Sequence, residues 1–122
     1  MKQLIQLAYM HEENGNYEKI DDINNQIVNQ LNNNKILTIL NNEEFIKIPH
    51  GNDNNYIIAI LTDISEVQKA KEYFDFNEVP YTEEKEVLIE DFEKIIKEDP
   101  NFLGFNINIS NLSYFLDKNL FL

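Results

Sequence analysis

From Tyr56 to Leu61 the chain reads Tyr-Ile-Ile-Ala-Ile-Leu, then stops at Thr62-Asp63 and gives way to an amphipathic segment that reaches Phe74. A continuously apolar run of this kind predicts a central strand, buried on both faces, with neighbours on either side and helices above and below. Asp63 and Glu66 have the spacing of a capping box, and Ile64, Val67, Ala70 and Phe74 form the expected buried face of the helix that follows. A central strand handing over to a capped helix constrains the fold strongly, and it brings no chemistry with it.

The rest of the chain can be arranged around that strand. Leu4, Leu7, Ala8 and His11 lie on one face of a short first helix, broken by Asn14-Gly15-Asn16. Tyr17, Ile20, Ile23, Ile27, Val28 and Leu31 recur at spacings of three and four, the clearest helical stripe in the sequence, which Asn32-Asn33-Asn34 ends. Lys35 to Leu40 and Phe45 to Ile48 read as the two strands of a hairpin. After Pro80, Val87-Leu88-Ile89 reads as a short strand leading into a helix with Phe92, Ile95 and Ile96 on its apolar stripe, stopped by Asp99-Pro100. Phe102 to Ile109 forms a half-buried strand, with Phe105, Ile107 and Ile109 on one face and Gly104, Asn106 and Asn108 on the other. Ser110 is then expected to cap a final helix carrying Leu112, Phe115 and Leu116, and the apolar end Leu120-Phe121-Leu122 to dock. The expected class is α+β, a mixed sheet covered by helices, in one domain spanning residues 1–122.

Two strand ends carry a family likeness. Leu61-Thr62-Asp63 and Gly104-Phe105-Asn106-Ile107-Asn108 resemble the paired motifs of the SseB family N-terminal domain, a group without an established biochemical activity. The likeness covers roughly residues 17 to 122 and leaves residues 1–16 as a leading helix outside it. Ile109 stands where that family usually has Pro, so the rigid turn a Pro would set is not expected here. The resemblance implies an α+β domain and no particular reaction.

Composition narrows the function classes. Ten positive residues face 22 acidic ones, for a net charge of -12, and all ten are Lys. Without Arg or a basic stripe, DNA, RNA and anionic membranes are poor partners. The chain has no Cys, which removes disulfides, thiolate metal sites and a sulfur-transfer nucleophile together. No apolar run approaches the roughly 20 residues of a membrane span, so a cytoplasmic protein is expected. Acid concentrates between Asp75 and Asp99, where ten carboxylates face three lysines for a local charge of -7. Glu83, Glu84, Glu86, Glu90 and Asp91 are the expected partner surface, suited to a protein with a basic face.

Candidate chemistry is sparse. His11-Glu12-Glu13 offers metal donors, but adjacent helical residues diverge by about 100°, and no second His is near in sequence. His50 and Asp53 flank a turn without a nucleophile, and Asp53-Asn54-Asn55 lacks the alternation of a calcium loop. Thr62, Asp63, Asn106 and Asn108 sit at strand ends, where open α/β sheets place ligands, although Asp63 has a competing role as a helix cap. No cofactor or metal is expected, and no catalytic constellation is recognisable. The leading expectation is a non-enzymatic protein-interaction module, in one version an acidic inhibitor or immunity-type protein. The alternative is a small-molecule binding or hydrolytic domain using Thr62, Asp63 and Asn108.

Overall fold

The computed structural model describes residues 1–110 and 113–122, and the apolar run lies at its centre. Its elements, in chain order, are α1 (Lys2–Glu13), α2 (Tyr17–Asn33), β1 (Ile36–Asn41), β2 (Glu44–Phe45), β3 (Ile48–Pro49) and β4 (Tyr56–Ile60). They continue with α3 (Ile64–Phe76), β5 (Glu83–Val87), a 3₁₀ turn (Ile89–Phe92), α4 (Glu93–Glu98), β6 (Phe102–Ile107), β7 (Tyr114–Asp117) and a last 3₁₀ turn (Lys118–Phe121). The fold is α+β, as expected, but its strands form two sheets rather than one.

All five residues of β4 are buried. The strand lies between β3, which it pairs antiparallel, and β6, which it pairs parallel from Ile57↔Gly104 to Ile60↔Ile107. β7 completes this four-stranded sheet on the far side of β6. Ile58, Ile60, Phe105 and Ile107 pack against Ile5 and Ala8 of α1 and Ile23, Ile27 and Leu31 of α2. The opposite face gives Ala59 and Leu61 to Val67, Ala70 and Phe74 of α3. Each face of β4 therefore has its own helical cover, the condition under which an unbroken apolar strand is stable.

β1 holds the second, antiparallel sheet in the order β2-β1-β5. A two-residue turn at Asn42 (φ 51°) and Glu43 (φ 70°) joins β1 to β2, the left-handed pair that matches the twist of a tight hairpin. Leu37 and Leu61 exchange backbone hydrogen bonds of 3.0 and 2.8 Å, and the buried Thr38 hydroxyl donates to the Ala59 carbonyl at 2.7 Å. These contacts couple the two sheets at the C-terminal end of β4.

Several expectations are corrected. The hairpin partner expected over Phe45 to Ile48 divides, Phe45 pairing with β1 and Ile48 with β4, so this segment crosses between sheets. The strand expected at Val87-Leu88-Ile89 lies earlier, at Glu83–Val87; its first four residues are exposed and charged because it is the outer strand of its sheet. Phe115 and Leu116 belong to β7, not to a helix capped by Ser110. Tyr114 and Leu116 point inward, Phe115 and Asp117 outward, and pairing with β6 favours that alternation. Leu112 lies outside the described residues. Leu120 and Phe121 dock on the core, while Leu122 is 70% exposed. On α1 the buried positions are Ile5 and Ala8, with Leu7 exposed, and Tyr17 of the α2 stripe is exposed too. On α3, Ile64 faces solvent and Glu66 is buried.

Gly104 explains its own place in the strand-end motif. A Cβ there would collide with the Leu116 carbonyl and lie 3.0 Å from the Phe115 ring, because at φ 157° it is directed at the neighbouring strand β7. Gly104→Ala is expected to destabilise the protein by about 2–3 kcal/mol through overpacking, read as a lowered urea midpoint. A midpoint equal to that of the unmodified protein would show that β7 does not press on β6 as described.

Candidate functional site

Because β4 and β6 are parallel, both end at the same edge of the sheet, and Thr62 and Asn108 meet there. The Asn108 backbone N–H donates to the Ile60 carbonyl at 3.0 Å, and its side-chain Oδ1 accepts the Thr62 N–H at 3.1 Å. Asn108 Nδ2 in turn donates to Thr62 Oγ1 at 3.1 Å. Asn108 is 2% exposed and adopts φ 56°, a left-handed conformation that Asn tolerates better than most residues. Its amide is thus engaged in tying two strand ends and terminating β6. Asn106 lies two residues back, level with Ala59 and Phe115, and its Oδ1 is buried without a hydrogen-bond partner among the described residues.

Asp63 takes the capping role. Its Oδ1 accepts the Glu66 N–H at 3.0 Å and the Ser65 hydroxyl at 2.6 Å, and its Oδ2 lies 3.2 Å from Lys2 Nζ. The Ser65 hydrogen bond, then the Glu66 N–H and Lys2, hold its carboxyl down from 3.8 to about 2 against the opposing effect of partial burial. Glu66 does not complete a capping box by reaching back to Asp63. Its side chain is fully buried, with Oε1 2.9 Å from Lys2 Nζ and 3.4 Å from Lys69 Nζ, and Oε2 has no partner among the described residues. Burial alone would raise its pKa; Lys2 and then Lys69 outweigh that and keep the carboxyl below its ordinary range. The start of α1 is thereby clamped to the start of α3.

The acidic segment divides into two parts. Glu83, Glu84 and Glu86 stand on the outer strand β5, where Glu84 pairs with Lys71 at 2.7 Å and Glu86 approaches Lys35 at 3.9 Å. Glu90 and Asp91 lie on the following 3₁₀ turn, and Asp91 accepts the Leu88 N–H at 2.9 Å. Beside that turn is a cleft of about 570 Å³ with Leu88, Ile89, Ile96 and Phe121 in its lining and Glu90 and Glu93 among its polar residues. Three shallower depressions lie elsewhere, and none of these four hollows is lined by Thr62, Asp63 or Asn108. The sequence signal for this cleft is the apolar C-terminal triplet, of which Phe121 and Leu122 enter the lining.

Among the described residues, no group of three or more His, Asp or Glu side chains could hold a metal ion, and no helix is long and apolar enough to cross a membrane. His11 Nδ1 sits 3.3 Å from Asn16 Nδ2, across the turn between α1 and α2. His50 stacks on Phe115 with ring centroids 5.9 Å apart.

Two expectations test these assignments. Asp63→Ala should lower stability by about 1 kcal/mol at neutral pH, and Asp63→Asn by less, since an amide oxygen still accepts the Glu66 N–H. The folded-state pKa is depressed, so the Asp63 contribution is complete above pH 4 and is lost as pH falls toward about 2. Thermal denaturation of both variants at pH 7 and pH 2.5 reads this; an Ala deficit that persists undiminished at low pH would exclude the ionised cap. Separately, Asn108→Ala and Thr62→Val should each cost about 1–2 kcal/mol, while the double variant costs far less than their sum, because one network is broken in all three. Additive losses would mean that the two side chains act independently.

Comparison with family models, with curated proteins and with solved structures finds no match to the chain, so the likeness to the SseB N-terminal domain rests on the two strand-end motifs alone.

Proposed function

We propose that the chain is a non-enzymatic protein-interaction module, SseB-like in its strand ends, that receives a basic and partly apolar segment of another protein. The observation that carries this reading is the cleft beside the 3₁₀ turn at Ile89–Phe92, which combines an apolar lining with Glu90 and a Glu93–Lys97 pair inside the most acidic stretch of the chain. Apolar contact supplies binding energy in such a cleft, while surrounding carboxylates select a cationic partner and accelerate its approach. Glu83 extends the same negative field along β5, and Glu84, Glu86 and Glu93 contribute less than Glu90 because Lys71, Lys35 and Lys97 lie beside them.

The ligand-binding alternative at the strand ends has less to work with. Asn108 and Thr62 satisfy each other, and Asp63 is occupied by Ser65, Glu66 and Lys2.

A synthetic amphipathic helix with leucines on one face and lysines on the other serves as the probe, with its glutamate counterpart as the control. Titrated into isotopically labelled protein, the basic peptide should shift the amide resonances of residues 88–97 and 121–122. The Glu90→Gln, Glu93→Gln double variant should slow association several-fold at low ionic strength. That difference should shrink with salt, as the screening length falls to about 10 Å at 0.1 M. Shifts of equal size with the glutamate peptide, or an association rate indifferent to both substitutions, would overturn the proposal.

A further inference from the structure

A second concave surface lies where the α1–α2 turn meets the outer strand β7. Tyr9, Glu12, Tyr17, Ile20, Tyr114 and Phe115 line a depression of about 360 Å³, within the size range of small-ligand sites. Its aromatic content is unusual for a solvent-facing surface. Tyr17 is 66% and Phe115 42% exposed, and Tyr9 packs edge to face on the buried Tyr114 at 88° with centroids 5.6 Å apart, which makes that pair rigid.

The Tyr9 and Tyr114 hydroxyls spend their protons within the protein. Tyr9 Oη donates to the Ser113 carbonyl and Tyr114 Oη to Asn24 Oδ1 at 2.6 Å, which fixes both rings. Burial raises the pKa of both phenols and the negative charge of Glu12 raises them further, so the carboxylate lies close enough to act on each. Fixed aromatic rings beside a single carboxylate complement a cation. They suit a primary ammonium less well, because its strongly hydrated N–H groups would give up water that ring faces do not replace, and Glu12 is the one carboxylate in the lining. A quaternary ammonium has no N–H to satisfy and is attracted by both ring quadrupoles and charge.

We propose that this depression binds the trimethylammonium group of a small choline-type molecule, with the exposed rings of Tyr17 and Phe115 and the rigid Tyr9–Tyr114 pair in its lining and Glu12 as the counter-charge. The site uses none of the residues of the acidic cleft and stands independently of the function proposed for that cleft.

The test titrates choline into the protein while following the aromatic side-chain resonances of Tyr17 and Phe115. Its neutral isostere, 3,3-dimethylbutan-1-ol, is titrated in parallel. Choline should give saturable shifts that the isostere does not reproduce. Glu12→Gln and Tyr17→Leu, both at exposed positions, should each weaken choline binding by about three- to tenfold with the far-UV circular dichroism unchanged. Equal shifts from the isostere would reduce the groove to an apolar surface, and an absence of saturable shifts would remove the site. A trimethyllysine peptide binding more than about tenfold tighter than choline would overturn the small-molecule assignment in favour of a modified protein side chain.

Discussion

The parallel pairing of β4 with β6 is the constraint from which the rest of the structure follows. Parallel strands require a crossover, here α3, β5 and α4, and they end at the same edge of the sheet. Ile57 to Ile60 are buried on both faces, so the chain has to supply two separate helical covers, α1 with α2 on one side and α3 on the other. The common strand end also brings Thr62 and Asn108 together. Their mutual hydrogen bonds turn a potential ligand edge into a structural clasp, and the conformation at Asn108 stops β6 where β4 ends.

Electrostatics act at two depths. Near the surface, a net charge of -12 leaves the protein surrounded by a negative field, in which isolated ion pairs such as Lys97–Glu93 add little to stability. Deeper in, Glu66 is a different case. A carboxylate with no exposed side-chain surface must be neutralised or paired, and Lys2 and Lys69 pair it. Only the first turn of α3 departs from its apolar stripe, with Ile64 turned to solvent and Glu66 inward, and α1 is anchored at its first turn by charge rather than by apolar contact alone.

Where a residue's fate is decided by its immediate neighbours in the chain, the sequence could be read. The run from Tyr56 to Leu61, the cap at Asp63 and the stripe Ile23, Ile27 and Leu31 are local patterns with one stable interpretation, and the structure follows them. The failures share a non-local cause. Glu83–Val87 has no apolar alternation because an outer strand needs none; only the pairing with β1 makes it a strand. Tyr114–Asp117 carries a short alternation that competes with a helical reading, and β6 decides between them. Glu66 was assigned to the capping box because its lysine partner lies 64 positions away in sequence, at the other end of the domain's first half. The Thr62 and Asn108 pairing was foreseen as two candidate residues at two strand ends, but not as a single hydrogen-bonded unit, since sequence spacing cannot give the register of parallel strands. Neither concave surface is legible in the sequence, for the same reason: one joins the 3₁₀ turn and α4 to the last turn, the other joins α1 and α2 to β7.

The shape of the acidic region limits how a partner can approach. β5 is an outer strand whose free edge could in principle accept another strand, as many recognition domains do. Its sequence Glu-Glu-Lys-Glu works against that mode, because closely spaced like charges repel an incoming strand of similar composition and long charged side chains keep a flat edge solvated. A basic strand would meet attraction along this edge but little apolar surface to hold it. The adjoining cleft supplies what the edge lacks, with Leu88, Ile89, Ile96 and Phe121 next to Glu90 and Glu93. On the proposed reading, edge and cleft would divide one task between long-range attraction and short-range fit, and a partner would be recognised by side-chain insertion rather than by extension of the sheet.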